Sequence, residues 1–110
     1  MNLSECEQVL VVLNAPPELE EPVIDWLLAR EGGTGFTSFP VYGHSTDHDN
    51  LSAVEQVTGR KPRQQFQVQM HLNRLESFMD SLRRTFGAAD LHYWVMPVFE
   101  GGSVLAEPDG

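Results

Sequence analysis

Positive charge is scarce in this chain. Seven lysine and arginine residues stand against sixteen aspartate and glutamate residues, which gives a formal net charge of −9. Nonspecific binding to DNA, RNA or an anionic membrane requires a basic face that neutralises phosphates. We therefore expect no nucleic-acid partner.

Cysteine and long apolar runs are lacking as well. Cys6 is the only cysteine, so a disulfide within the chain and a thiolate metal centre within one chain are excluded. No apolar run approaches the ~20 residues that span a bilayer, and the N-terminus lacks the basic and apolar regions of a secretory signal. These absences predict a cytoplasmic protein that does not insert into a membrane.

The sequence motifs of common enzyme classes are missing too. There is no P-loop, no GxGxxG after a strand, no HExxH and no GxSxG. The sequence also shows no nucleophile with a base placed to activate it, and no pair of carboxylates in divergent environments. We expect a protein that is not an enzyme and has no catalytic residues.

Hydrophobic periodicity predicts six elements in one domain that spans residues 1–110, with a core at about 8–100 and a C-terminal tail at 101–110. Asn73 is suited to cap the second helix, and Gly87 is suited to end it with a left-handed residue. The predicted strands cover 8–15, 36–42, 64–72 and 91–99, and the predicted helices cover about 19–30 and 73–86.

The order β-α-β-β-α-β predicts the ferredoxin-like α+β fold, a four-stranded antiparallel sheet of order 4-1-3-2 with both helices on one face. Pro40 cannot donate to a strand ladder, so the second strand is expected at a sheet edge. The fourth strand is the other edge, and Trp94, Met96 and Val98 lie on its side away from the helices. An apolar face at a sheet edge predicts an oligomer interface.

The element order, a long polar segment between strands two and three, and three short strings resemble a small bacterial family of PII-like proteins. The strings are Gly43-His44-Ser45, Glu55-Gln56-Val57-Thr58-Gly59-Arg60 and Phe66-Gln67-Val68. The PII-like superfamily, which includes PII nitrogen regulatory proteins and CutA-type divalent-cation tolerance proteins, comprises compact trimers with a mobile T-loop after strand two. Their small-molecule sites lie in the clefts between subunits, and members of the smaller family often accompany heavy-metal efflux systems.

The resemblance covers roughly residues 9–99 and has several implications. Residues 43–63 are the T-loop equivalent, and the apolar face of strand four is buried in a homotrimer. The implied function is that of a regulatory or sensor protein in signalling, linked to heavy-metal homeostasis. The implied partner of the loop is a membrane transporter or another regulatory protein.

This chain also departs from the PII proteins that it resembles. Lys61 is its only lysine, so the lysine-rich phosphate-binding pattern of PII proteins is absent, and the loop has no tyrosine for uridylylation. These departures argue against ATP and 2-oxoglutarate binding of the PII kind. The cofactor stays open between a divalent metal, an adenine nucleotide and neither.

The head of the polar segment contains a candidate metal site. His44 and His48 are four residues apart, with Asp47 and Asp49 beside them, and imidazole with carboxylate suits Zn²⁺, Ni²⁺ or Cu²⁺. The same residue types are typical of a solvated turn, which is the reading we favour. Direct divalent-metal binding is therefore kept as the alternative function.

The tail of the segment contains a candidate anion site. Arg60, Lys61 and Arg63 follow Gly59 and hold three of the seven basic residues. Arginine can bind a phosphate or carboxylate in a bidentate way and lysine as a point charge, although the same residues can also neutralise acidic neighbours. We consider this end a better ligand candidate than the histidine end. Between the two ends, capping-box spacing at Ser52 predicts a short helix that ends at Gly59.

Overall fold

The structure is a computed structural model that describes residues 7–30, 35–44 and 60–105. Short 3-10 turns, Pro17–Leu19 and Leu72–Arg74, lead into the two helices. The strands and helices are β1 (Gln8–Ala15), α1 (Glu20–Ala29), β2 (Phe36–His44), β3 (Arg60–His71), α2 (Leu75–Phe86) and β4 (His92–Val98). This order confirms the predicted β-α-β-β-α-β arrangement.

The strands form one antiparallel sheet in the order β2-β3-β1-β4. This is the predicted order 4-1-3-2, with the Pro40 strand at one edge and β4 at the other. Val11 in β1 lies opposite Val68 in β3 and Val95 in β4, so β1 is an interior strand with apolar neighbours on both sides.

The core lies between one face of the sheet and the two helices. Alternate residues of β1 and β3 point to this face because side chains alternate across a strand. Trp26 of α1 also packs against Phe78 and Phe86 of α2, with ring centroids 5.2 and 5.8 Å apart. The core contains Val9, Val11, Leu13, Ala15, Val23, Leu27, Phe66, Val68, Met70, Phe78, Met79 and Leu82.

The opposite face of the sheet, which we call the open face, carries Leu10, Val12, Trp94, Met96 and Val98. Leu10 lies opposite Met96, and Val12 lies opposite Trp94. Trp94 and Met96 are 44% and 46% exposed, whereas both described helices pack on the other face. Trp94, Met96 and Val98 of β4 thus face away from the helices, as predicted.

A row of glutamines runs along β3 beside the apolar part of the open face. Gln65 donates to Asn14 at 3.0 Å and Gln67 donates to Gln65 at 3.1 Å, while Gln69 donates to Gln8. These amides satisfy one another on a surface that is only partly exposed.

The hairpin strands β2 and β3 are longer than predicted. Their backbone pairing continues through Gly43 opposite Lys61 to His44 opposite Arg60, so the connection is 45–59 rather than 43–63. The strand signal used for prediction is apolar alternation, which polar residues at the end of a hairpin do not provide although their backbones pair. The short helix predicted before Gly59 lies outside the described residues.

Two predictions about the ends of α2 are wrong. A 3-10 turn precedes this helix, and the His71 side chain accepts a hydrogen bond from the Asn73 backbone N–H at 3.1 Å, in place of an Asn73 side-chain cap. Gly87 follows the helix with a right-handed φ of −64°. A glycine still fits there because a Cβ would collide with the carbonyl oxygen of Arg83.

No helix in the described part of the chain is long and apolar enough to cross a membrane.

Candidate functional site

Three side-chain donors converge on the carboxylate of Asp90. Arg63 Nη2 lies 2.5 Å from Asp90 Oδ2, and Lys61 Nζ lies 3.3 Å from the same oxygen. His92 Nε2 lies 2.9 Å from Asp90 Oδ1. We call Lys61, Arg63, Asp90 and His92 the Asp90 cluster.

The sheet register explains why residues 27 and 29 positions apart in sequence meet. Asn14 in β1 lies opposite Gln65 in β3 and opposite His92 in β4, so β3 and β4 both begin at this end of the sheet. Lys61 and Arg63 share the side of β3 that carries Gln65, which is the open face.

Asp90 lies in the tight turn between α2 and β4. The backbone N–H of Ala89 donates to the carbonyl of Phe86, and that of Leu91 donates to the carbonyl of Ala89, both at 2.9 Å. The turn therefore holds Asp90 at the end of the sheet where β3 and β4 begin, two residues before the first residue of β4.

Exposure differs strongly across the Asp90 cluster. The Arg63 side chain is only 8% exposed and that of Lys61 is 25% exposed, whereas Asp90 and His92 are 52% and 69% exposed. An arginine side chain that is this well buried needs a counter-charge, because an unpaired buried charge is very costly. Asp90 supplies that counter-charge from the solvent side.

The electrostatic effect of the cluster is seen at Asp90. The hydrogen bond from Arg63, followed by those from Lys61 and His92, lowers the pKa of Asp90 from 3.8 to about 2, against the opposing effect of desolvation. Asp90 is therefore ionised throughout the neutral pH range.

The predicted anion site is brought together only in part. Strand alternation puts Arg60 on the face opposite to Lys61 and Arg63, where its guanidinium carbon lies 4.9 Å from the centre of the Tyr42 ring. Gly59 lies outside the described residues. Two of the three predicted cations thus share one site.

The predicted metal residues fall mostly in the segment that is not described. His44 is the last residue of β2 and is exposed, while Asp47, His48 and Asp49 lie outside the described residues. Within 7–30, 35–44 and 60–105, no three histidine, cysteine or acidic side chains are grouped so that they could hold a metal ion. Direct metal binding by this cluster stays a prediction.

The sequence did not single out Asp90 or His92 as a site residue. Asp90 is one of sixteen acidic residues and lies in no motif. The one usable signal was its position just before the apolar run of β4, because the predicted topology starts β3 and β4 at the same end of the sheet.

The chain was compared with known families and with solved structures. The family model described as "Protein of unknown function (DUF3240)" matches residues 5–105. A search of curated proteins found no match. A DUF3240 family protein from Shewanella baltica OS155 has a similar structure, with a TM-score of 0.74 and 19% identity over 96% of this chain and 100% of that one.

Two PII structures share the fold at lower similarity. One is CPII, a nitrogen regulatory PII-like protein from Thiomonas intermedia K12 bound to ADP, AMP and bicarbonate, with a TM-score of 0.64 and 14% identity over 88% of this chain and 96% of that one. The other is Arabidopsis thaliana PII bound to citrate, with a TM-score of 0.62 and 17% identity over 88% of this chain and 82% of that one.

These similarities confirm the PII-like fold that the sequence predicted. The family match extends over all of the described residues and over the segments between them. The chain therefore belongs to the DUF3240 family.

Proposed function

We propose that this protein is a non-enzymatic, PII-like regulatory or sensor protein that binds a small anionic ligand at Lys61 and Arg63. The observation that carries the proposal is the nearly buried Arg63 side chain, 8% exposed, whose guanidinium shares one carboxylate oxygen with Lys61. A chain with a net charge of −9 has few cations, and two of them meet here.

The chemistry of the pair suits an oxyanion. A guanidinium and an ammonium both form charge-assisted hydrogen bonds with carboxylates and phosphates, and such bonds are about twice as strong as neutral ones. Asp90, the present acceptor, is itself a carboxylate and is half exposed, so an anion from solvent can approach the same donors. The solved PII-like structures bound to citrate, and to ADP, AMP and bicarbonate, hold ligands of this chemical class.

The location of the pair suits a sensor. Lys61 lies opposite Gly43, one residue pair before the ladder ends at His44 and Arg60. The 45–59 segment, which corresponds to the T-loop in the family resemblance, leaves the sheet at that point. An anion bound by Lys61 therefore lies beside the last residue pair of this hairpin. We propose that its binding changes which protein partner the 45–59 segment binds.

The open face supports the proposal that the working form is a homotrimer. Trp94 and Met96 are large apolar residues of β4 that lie on this face beside Val12 and Leu10, and they are 44% and 46% exposed. Contiguous apolar surface of this kind usually marks an interface. Because the Asp90 cluster lies at one end of the open face, we propose that the ligand binds next to a subunit boundary.

A thermal-shift titration tests the ligand-binding proposal. The wild-type protein is mixed with acetate, bicarbonate, citrate, AMP or ADP at constant ionic strength. A ligand present at ten times its Kd stabilises the folded state by about 1.4 kcal/mol, which raises the Tm by several degrees. We expect at least one of these anions to raise the Tm.

Matched variants locate the binding. Arg63→Gln and the less buried Lys61→Gln are expected to abolish the shift, whereas Arg84→Gln removes the same charge from the exposed face of α2 and is expected to retain it. A flat response to every anion, or equal loss in the Arg84→Gln protein, contradicts the proposal.

The same assay separates the alternative function. A saturable response to Zn²⁺, Ni²⁺ or Cu²⁺ that is lost in the His44→Ala, His48→Ala double variant and retained in Arg63→Gln would support direct metal binding. Such a result would also connect this chain to heavy metals through its own residues. The family resemblance alone implies only that connection in general.

A further inference from the structure

A cavity of about 160 Å³ lies between the C-terminal half of α2, the turn that follows this helix and the start of β4. We call it the α2–β4 cavity. Its lining includes Leu13 of β1 with Met79 and Leu82 of α2, which are at most 6% exposed. Phe86 and Leu91, which are partly buried, also line it. The interior of the cavity is therefore apolar.

The space exists because two small residues lie where the chain passes from α2 to β4. Gly87 has no side chain, and a Cβ at this position would collide with the carbonyl oxygen of Arg83. Ala89 has only a methyl group, and both residues line the cavity. Unfilled apolar space forfeits packing contacts, which a ligand of matching size restores.

Arg83 places a positive charge at the opening of the α2–β4 cavity. It lies three or four residues from Met79 and Phe86, so all three share the face of α2 that lines the cavity. The Arg83 side chain is 59% exposed, which puts its charged end on the solvent side. Arg83 Nη2 donates to Tyr93 Oη at 3.1 Å, and this hydrogen bond holds the guanidinium at the opening.

Asp80 competes only weakly for this guanidinium. Its Oδ1 lies 3.9 Å from Arg83 Nη1, and the two side chains are 62% and 59% exposed. An ion pair that is this long and this exposed contributes little. Arginine has five N–H donors, which is more than the contacts with Tyr93 and Asp80 use. A carboxylate from solvent can therefore bind Arg83 while the hydrogen bond to Tyr93 stays in place.

We propose that the α2–β4 cavity binds a small aromatic carboxylate of about the size of benzoate, with its ring in the cavity and its carboxylate on Arg83. The volume determines the size, because an apolar protein cavity of about 150 Å³ takes up benzene. The guanidinium determines the charge, because it repels a cation and forms its strongest hydrogen bonds with an anion. The described lining residues include none of the Asp90 cluster, so this site is additional to the proposed anion site and does not depend on it.

A chemical-shift titration of the full chain tests the inference. The methyl signals of Met79, Leu82 and Leu91 report on the cavity, and the backbone amides of 60–65 report on the proposed anion site. Three probes are used at neutral pH and constant ionic strength. They are benzoate, benzyl alcohol, which has the ring without the charge, and acetate, which has the charge without the ring.

We expect benzoate to shift the cavity methyl signals saturably and to bind there more tightly than the other two probes. Arg83→Gln should weaken benzoate binding about tenfold through loss of a charge-assisted hydrogen bond, and it should leave benzyl alcohol binding unchanged. The matched control is Arg84→Gln, which removes the same charge from an exposed neighbour and should bind benzoate as wild type does.

A second pair of variants tests the cavity itself. Ala89→Leu fills the space from the turn and should weaken both benzoate and benzyl alcohol about tenfold. Ala88→Leu adds the same volume at the exposed neighbouring position and should weaken neither. A dispersed amide spectrum establishes that each variant is folded.

The inference is overturned if benzoate gives no saturable shift at the cavity methyl groups of the wild type. Equal benzoate affinity in Arg83→Gln and Arg84→Gln, or in Ala89→Leu and Ala88→Leu, also overturns it. Benzoate shifts that are confined to the amides of 60–65 and lost in Arg63→Gln would refute the cavity site while supporting the proposed anion site. Shifts at the cavity methyl groups that persist in Arg63→Gln support the inference whether or not the proposed anion site exists.

Discussion

The Asp90 cluster should make the free energy of unfolding depend on pH between about 4 and 2. Substitution of Asp90 should remove this pH dependence. Asp90 has a pKa of about 2 in the folded protein, compared with an ordinary value of 3.8. Because the folded value is the lower one, the ionised carboxylate stabilises the fold above about pH 4, and this contribution is lost as the pH falls toward 2.

The magnitude follows from the same two values. The difference between 3.8 and about 2 corresponds to at most about 2.4 kcal/mol. Asp90 is 52% exposed, and solvent screens ion pairs at such positions, so we expect about 1 kcal/mol in practice.

Urea unfolding of wild type and Asp90→Asn at several pH values between 7 and 2 measures this contribution. Wild type should be more stable by about 1 kcal/mol at pH 7, and the gap should close between pH 4 and pH 2. Asp80→Asn, with a 62% exposed carboxylate, is the control for general loss of negative charge. A gap that is independent of pH, or that Asp80→Asn reproduces, refutes the reasoning.

Three further predictions test the fold and its surfaces. Trp94→Glu places a charge on the open face and should convert the proposed homotrimer to monomers in light-scattering chromatography, whereas Leu28→Glu, at a 70% exposed position of α1, should not. Phe66→Ala should lower the free energy of unfolding by about 3–5 kcal/mol in urea, because Phe66 is fully buried. Gly87→Ala should cost about 1–3 kcal/mol in the same assay through the clash with the carbonyl of Arg83, and an unchanged stability would contradict that close approach.

The fold could be predicted because burial imposes local patterns on the sequence. Phe66, Val68 and Met70 alternate with glutamines since only one side of β3 meets the helices. β1 has apolar residues on both sides because it is central, and Val12 is only 2% exposed although it lies on the open face. Pro40 identified an edge strand because it lacks a backbone donor.

The ends of the elements were predicted less well, because they depend on backbone pairing and on close contacts between distant atoms. The pairing of His44 with Arg60 involves polar side chains and leaves no hydrophobic signal. The φ of Gly87 is −64°, and its need for a glycine comes from the carbonyl of Arg83 one turn earlier. Sequence rules for helix ends describe the more common left-handed solution.

The candidate site shows most clearly why side-chain chemistry is harder to predict than fold. In a loop, Arg60, Lys61 and Arg63 could all gather on one ligand, but extension of β3 to Arg60 assigns them to opposite faces by strand alternation. The two that remain together acquire Asp90 as a partner only because the register of β3, β1 and β4 brings three strand ends to one place. A one-residue slip of β3 would remove Lys61 and Arg63 from the open face and place Arg60 there instead. The residues that form the site are therefore a consequence of strand register, which the composition and spacing of the sequence do not encode.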